Sequence, residues 1–439
     1  MIVAHALGGI RDLPIPGQFF LYGGGVVLGL SFIALGVLWT DPHLERIAEG
    51  RPVPPLAQRI LLSRGLRAAA CTITVFVFGL VLATAFAGKR SIDGNLAPTT
   101  VWVLFWLGLV PVSLLIGNVW SWLSPLRAIA DVVAWLARPL GWKTRPYPER
   151  LGWWPAALLL FAFAAMELVY PTPADPRHVG IAVSIYAAIT WAGMAVVGRR
   201  AWHENGEAFN VYYGLFAQMA AFTIRGDGDE RQIVMRPPLV GLIRLRPRPG
   251  TVPMVAVMLG SVGFDSITRT SVWQNLETGT LASEAARIPV KLAVLAVVVS
   301  FVACAYLAAV WFAGRFTTAD IALVPRFIAS LVPIAFVYAV AHYVSLLLVQ
   351  GQYAVPLAYR LRWYFRCNLR EVYHLCELRT TPQGHPDYRW VAQEMFRRVQ
   401  EVHPRLAAYA KFVDLGPGDQ LERRRSERRI DERLAQLQN

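Results

Sequence analysis

Charge is scarce in this chain. Only 16% of its residues are Asp, Glu, Lys or Arg, against about 25% in an ordinary soluble domain. A surface built throughout for water is therefore excluded, whatever number of domains the length suggests. Cysteine is scarce as well, with Cys71, Cys304, Cys367 and Cys376 scattered along the chain. The spacing of the last two is not that of a metal knuckle, and the four read as small buried residues. No HExxH, HxH or CxxC spacing occurs, so no established metal or redox motif is present. Nucleic acid is not expected as a partner, because no recognition motif accompanies the net charge of +14. No basic n-region precedes the first apolar run, which reads as a retained span rather than a cleavable leader.

Apolar residues fill the space that charge leaves: 55% of the chain is hydrophobic and 12% aromatic. About 18 consecutive apolar residues suffice to cross a hydrocarbon core about 30 Å thick. Runs of that kind occupy 18–40, 69–88, 100–123, 153–170, 179–198, 289–314 and 325–350. Shorter runs lie at 207–222 and 251–264. Backbone polar groups at membrane depth must be satisfied within their own segment, so these runs are expected to be helices.

Arg and Lys collect in cytoplasmic loops. Loop 41–68 carries Arg46, Arg51, Arg59, Arg64 and Arg67, and loop 124–152 carries Arg127, Arg138, Lys143, Arg145 and Arg150. The N-terminus is then outside and both loops inside. Residues 225–250 are basic too and should stay inside, so 207–222 is expected to be a re-entrant or interfacial helix and 251–264 to cross outward. The fold expected is all-α: a polytopic helical bundle of about eight spans in the cell membrane, followed by a small helical soluble tail. That count leaves the tail outside, although it carries the basic block "ERRRSERR" at 422–429.

Ionisable residues within spans are costly and mark functional positions. Candidate catalytic residues are His342, in "VYAVAHYVSLLLVQGQ", Asp265, in "GSVGFDSITRTSVW", and Glu207, in "HENGEAFNVYYGLFAQMAAF". Helical spacing groups Glu207 with Asn210 and Tyr213. Glu167 lies near the end of a span, where snorkelling accounts for it. His5 and His342 are the candidate ligands of a divalent metal near the outer face. The alternative for these groups is hydrogen bonding between helices.

The phrases "AHALGGIRDLPIP", "GNVWSWLSPLRAI", "NGEAFNVYYGLFAQMAAF", "RPPLVGLIRLRPRPGT", "GSVGFDSITRTSVW" and "AHYVSLLLVQGQ" carry a resemblance across residues 3–352. They resemble the actinobacterial multi-pass membrane proteins labelled fenitrothion hydrolase. The resemblance implies a membrane hydrolase; a transporter or membrane assembly factor would use the same polar cluster. The family continues past "GQ" into a further loop and a last span, which this chain lacks.

After Gln352 the composition turns polar. Residues 369–379 place Leu369, Val372, Tyr373 and Cys376 on one helix face, and 389–402 repeat Val391, Met395, Val399 and Val402 at helical spacing. Pro382, Gly384 and Pro386 mark the turn between them. The expected domains are 1–352 in the membrane, 353–418 as a soluble helical segment, and 419–439 as a charged terminal helix. Asn368, Arg370, His374, Leu378 and Arg379 form a pattern that resembles the C-terminal part of flavin-dependent thymidylate synthases. The resemblance implies FAD contacts at Asn368, Arg370 and His374, a nucleotide contact at Arg379, and conversion of dUMP to dTMP. That family's Arg-His-Arg signature is absent from the chain, and its sites are built between subunits. A junction near Gln352 between two unrelated gene segments is therefore expected. The lipid bilayer is the partner expected throughout, and a homo-oligomer is compatible with both halves.

Overall fold

The computed structural model describes residues 17–38, 47–90, 94–226, 231–279, 283–316, 322–350, 368–381 and 386–416. His5, Gln352, Cys367 and the expected terminal helix 419–439 lie outside the described residues. The chain divides into two compact units, Met1–Leu357 and Ala358–Asn439.

The first unit is a helical bundle. Among its helices are α1 (Gly17–Leu38), α2 (Arg64–Ala87), α3 (Leu96–Ile116), α4 (Trp154–Leu168), α5 (Pro176–Val197), α6 (Ala208–Ala217), α7 (Thr251–Thr268), α8 (Glu284–Gly314) and α9 (Leu331–Gln350). Seven helices among the described residues are long and apolar enough to cross a membrane. Their ends follow local chemistry. Ser63 and Ser283 cap α2 and α8, and Asp175 caps α5 ahead of Pro176 at its first turn.

Burial is inverted relative to a water-soluble protein. Phe76, Leu158, Ile185, Val297, Phe301 and Trp311 are exposed, while Asn210, His203, Glu207 and Asp265 are buried. So much apolar surface outside is compatible with an apolar surrounding.

The run at 251–264 proves to be part of an 18-residue helix, α7, and 61% of it is buried. It is the centre of the bundle, packed on α8 and α4. Gly260 makes this possible: a Cβ there would meet the Val299 Cα at 2.8 Å. Small residues at a helix crossing let two backbones approach, which is how apolar helices gain contact where water does not drive them together.

Helix α6 is short, and all but one of its residues are buried. It packs against α3, α4 and α9. Apart from Gly214, every residue of α6 is covered by the rest of the bundle. Between α3 and α6 the chain turns at Gly117 (φ +116°), where a Cβ would meet the Phe222 carbonyl oxygen at 3.0 Å.

The all-α expectation needs one correction. A three-stranded antiparallel sheet, in the order β1–β3–β2, forms from β1 (Arg51–Pro52), β2 (Phe222–Arg225) and β3 (Gln232–Met235). Two β-favouring runs, FTIR and QIVM, flank a Gly-Asp-rich turn, which is a hairpin signature. The apolar run that ends in Phe222 hid it, because length was used to assign helix. Arg51 pairs with Met235, so loop 41–68 and the loop after α6 meet. Arg145 N–H donates to the Val196 carbonyl at 2.8 Å, and Trp153 N–H to the Pro249 carbonyl at 2.6 Å. All three basic loops therefore come together at one end of the bundle.

The second unit consists of α10 (Leu369–Arg379), α11 (Pro386–Val402) and a short turn of helix at Pro404–Ala407. Its core is Val372, Cys376, Phe396 and Ala407, with Met395 and Val399 against it. Val372, Cys376, Met395 and Val399 were expected there. Val391 and Val402 are exposed, because the buried stripe of α11 runs one residue later, through Ala392 and Phe396.

Candidate functional sites

Glu207 is completely buried and forms the hub of the first site. It is the N-cap of α6, accepting from Asn210 N–H at 2.7 Å and Phe209 N–H at 3.3 Å. Trp120 donates its indole N–H to the same carboxylate at 3.0 Å, and the Tyr186 hydroxyl donates to its other oxygen. Burial pushes the Glu207 pKa up, against the opposing pull of these donors.

The turn at Gly117–Asn118 delivers two of the neighbours. Asn118 caps the next helical turn through Ser121 and donates to Asn210 Oδ1 at 3.0 Å. Asn210 in turn donates to the His203 carbonyl at 2.8 Å. Tyr213 donates to the Phe105 carbonyl at 2.6 Å. Phe105 lies in Thr99–Leu107, which is wound as a π-helix, a form that concentrates at functional sites. The predicted grouping of Glu207 with Asn210 is observed.

His203 lies 3.9 Å from Glu207 Oε2, and neither ring nitrogen has a hydrogen-bond partner among the described residues. Desolvation, aided by the nearby Arg127, depresses its pKa to about 3, so it is neutral in the fold. Sequence reasoning missed His203. Its signal was the i,i+4 spacing to Glu207. Trp120 and Tyr186 also line an apolar cavity of about 520 Å³, together with Trp102, Phe105 and Phe209. That cavity thus ends against the residues that hold the buried carboxylate.

The second site joins α7 to α9. His342 Nε2 rests on Asp265 Oδ2, and Arg269, one turn on, reaches the same oxygen at 3.3 Å. Both members of the His–Asp pair have mostly buried side chains. Glu167 is part-buried and hydrogen-bonded to Tyr343, with Asp265 within electrostatic reach. Two of the three catalytic candidates, His342 and Asp265, are therefore brought together. Glu207 belongs to a different network, at the end of the bundle where Arg248 pairs with Asn205. The partner proposed for His342 in metal binding, His5, lies outside the described residues. Among those described, no group of three or more His, Cys, Asp or Glu could hold a metal.

In the second unit, Asn368 is the N-cap of α10. Its Oδ1 accepts from Glu371 N–H at 3.0 Å, and the Glu371 carboxylate accepts from Asn368 N–H at 3.1 Å, a reciprocal capping box. Arg370 and His374 are exposed and one turn apart on the same face. Arg379 is exposed and stacks its guanidinium over Tyr388 at 5.7 Å. Sequence reasoning also missed Arg389. It is 2% exposed, donates to the Thr380 carbonyl at 2.7 Å, and pairs with Asp414 at 3.1 Å.

Residues 339–405 match the family described as thymidylate synthase complementing protein. The match covers the second unit's helices and begins within α9, ahead of Gln352. A UPF0159 protein of Chlamydia muridarum is 47% identical over 70 residues, 16% of this chain and 13% of that protein. UPF0159 protein Ta1429 of Thermoplasma acidophilum is 51% identical over 66 residues, 15% of this chain and 13% of that protein. The chain thus spans about an eighth of the length of these curated relatives. No solved structure matches.

Proposed function

We propose that the first unit is an integral protein of the cell membrane, with about eight spans and its N-terminus outside, similar to the proteins labelled fenitrothion hydrolase. We further propose that it is a proton-handling transporter centred on Asp265 and His342. Sidedness rests on the meeting of the three basic loops at one end, which is then the cytoplasmic face. Helix α7 starts at that end, and 14 residues at 1.5 Å each carry Asp265 about 20 Å across, toward the outer face.

The observation that carries the mechanism is the His342–Asp265 contact beside Arg269 in an apolar bundle. A histidine on a carboxylate inside a membrane can take and release a proton without creating an unpaired charge. Tyr343 and Glu167 extend the hydrogen-bonding groups beyond it.

The hydrolase reading, which the resemblance implies, would use the same pair, with Asp265 orienting His342 to draw a proton from water. It also needs room for an ester. Neither Asp265 nor His342 lines the apolar cavity of about 520 Å³. Proton entry into liposomes loaded with a pH-sensitive dye decides the matter. Under an imposed membrane potential, His342→Gln and Asp265→Asn should slow entry at least tenfold. If wild type instead releases nitrophenol from an aryl phosphotriester and His342→Gln does not, the hydrolase reading replaces transport.

The match over residues 339–405 favours a second reading for the tail: part of a flavin-dependent thymidylate synthase. Arg370 and His374, one turn apart and open to solvent, suit a phosphate or flavin edge. Oδ1 of Asn368 is already committed to its cap, so its contact would come through the amide nitrogen. Bound FAD would supply the reducing equivalents for turning dUMP into dTMP, whose methyl carbon would come from a separate one-carbon donor. Titration of the full-length protein with FAD and dUMP tests this. FAD retained by wild type and lost in His374→Ala supports it, and no retention sinks it.

A further inference from the structure

Exposure alternates along Arg244-Leu245-Arg246-Pro247-Arg248, which leaves a short helical turn at Val240–Arg244. Arg244, Arg246 and Arg248 are exposed, while Leu245 and Pro247 are part-buried. The three arginines are thus on the solvent side of this segment. They line a polar cavity of about 290 Å³ with Asn118, Asn210, Gln218 and Trp153, close to the lower end of the size range for ligand sites, about 300 Å³.

The charges around this cavity do not cancel. Its one carboxylate, Glu204, is held by Arg200 at 2.8 Å. Arg248 bonds to Asn205, which is neutral. Arg244 reaches the exposed Glu49 only at 3.6 Å. Arg246 has no ion pair among the described residues. The Trp153 side chain lines the same cavity, and its buried indole nitrogen has no hydrogen-bond acceptor among the described residues. A buried donor without a partner is costly, and an acceptor reaching it from the cavity would relieve that cost. Gly214 keeps the floor open, since a Cβ there would lie 3.1 Å from Asn118 Nδ2.

We infer that this cavity binds a phosphate group, through the fork of Arg246 and Arg248 and the Trp153 N–H. A phosphate has the charge and the several acceptor oxygens that such a donor set asks for. The site is separate from the Asp265–His342 pair, so it stands or falls independently of the proposed function. Two sources carry this chemistry, an anionic lipid headgroup and a soluble phosphate compound.

The test is the thermal stability of the full-length protein in detergent, titrated with dihexanoyl phosphatidic acid or inorganic pyrophosphate. Dihexanoyl phosphatidylcholine and chloride at equal ionic strength serve as controls. Saturable stabilisation by either phosphate compound is expected, with at least tenfold weaker apparent affinity in Arg246→Gln and in Trp153→Phe. Arg246 touches no described acidic group and Trp153→Phe keeps an aromatic ring, so neither variant should unfold the bundle. Phosphatidic acid acting alone assigns the site to lipid, and pyrophosphate acting as well assigns it to a soluble ligand. No stabilisation beyond the controls, or the same stabilisation in both variants, overturns the inference.

Discussion

The indole of Trp120 and the carboxylate of Glu207 meet at 3.0 Å across a turn that interrupts an apolar helix. The contact exists because Gly117 and Asn118 end α3 and the chain re-enters a helical turn at Val119. Without that interruption Trp120 would continue along α3, away from the start of α6. A helix break thus sets a buried carboxylate among four donors: Trp120, Tyr186 and two backbone amides.

Removing that acceptor should be costly. Glu207→Ala deletes the cap of α6 and leaves Trp120 and Tyr186 without their acceptor, an expected loss of about 3 kcal/mol. Glu207→Gln keeps an acceptor oxygen and should lose markedly less. Thermal unfolding in detergent, followed by tryptophan fluorescence, measures both.

His203 should make the fold sensitive to acid. Its pKa falls from 6.5 to about 3 on folding, chiefly through desolvation. The stability it permits is complete above about pH 6.5 and is lost as pH falls toward its folded value, with a slope of about 1.4 kcal/mol per pH unit. Glu207, pushed upward by burial, acts in the opposite sense and favours the fold at low pH. Comparing wild type with His203→Gln isolates the histidine: the variant should gain on wild type as pH is lowered from 6.5 to 5. Parallel pH profiles for the two proteins would contradict a neutral buried His203.

The α7–α8 crossing leaves no space at Gly260. Gly260→Val would force a branched side chain onto the Val299 backbone, costing about 1–3 kcal/mol or more by overpacking. Gly263 is the control, because a Cβ there meets only the Val298 side chain at 3.7 Å. Gly263→Ala should leave the melting temperature nearly unchanged while Gly260→Val lowers it.

In the second unit the buried Arg389 is the residue whose loss should matter most. Arg389→Ala strips the Thr380 carbonyl and Asp414 of their shared partner; because Asp414 is 36% exposed and can be solvated, the expected cost is about 1–3 kcal/mol, mostly from the lost hydrogen bond and packing of the buried arginine. A core of this size has little stability to spare. Limited proteolysis of the full-length protein should cut the variant between residues 368 and 416 at least tenfold faster than wild type. Arg397→Ala, whose pairing with Glu394 is on the surface, should behave as wild type.

Which features were legible in the sequence follows from the range of the forces involved. The long helices were visible because long apolar runs are a matter of composition, and composition is local. The His342–Asp265 pair was suggested one residue at a time, since each lies where an ionisable group is expensive. Their contact was not legible, because residues 77 positions apart meet only through the packing of α7 against α9. The hairpin at Phe222–Met235 went unseen beneath an apolar run that also suits a helix. In the tail, helical spacing selected Val391 where Phe396 is buried, since the exposed and buried stripes of a short helix lie only one residue apart.

By itself, then, the sequence determined that most of this chain prefers an apolar surrounding, which end of the bundle gathers positive charge, and where the polar tail begins. Each of those is a sum over neighbouring residues. Tertiary structure alone decided that Glu207 and Asp265 serve separate networks, that α6 is sealed among other helices, and that Arg389 rather than a valine anchors the tail. Those outcomes depend on which distant groups satisfy a buried charge or hydrogen bond, and only packing brings such groups within reach.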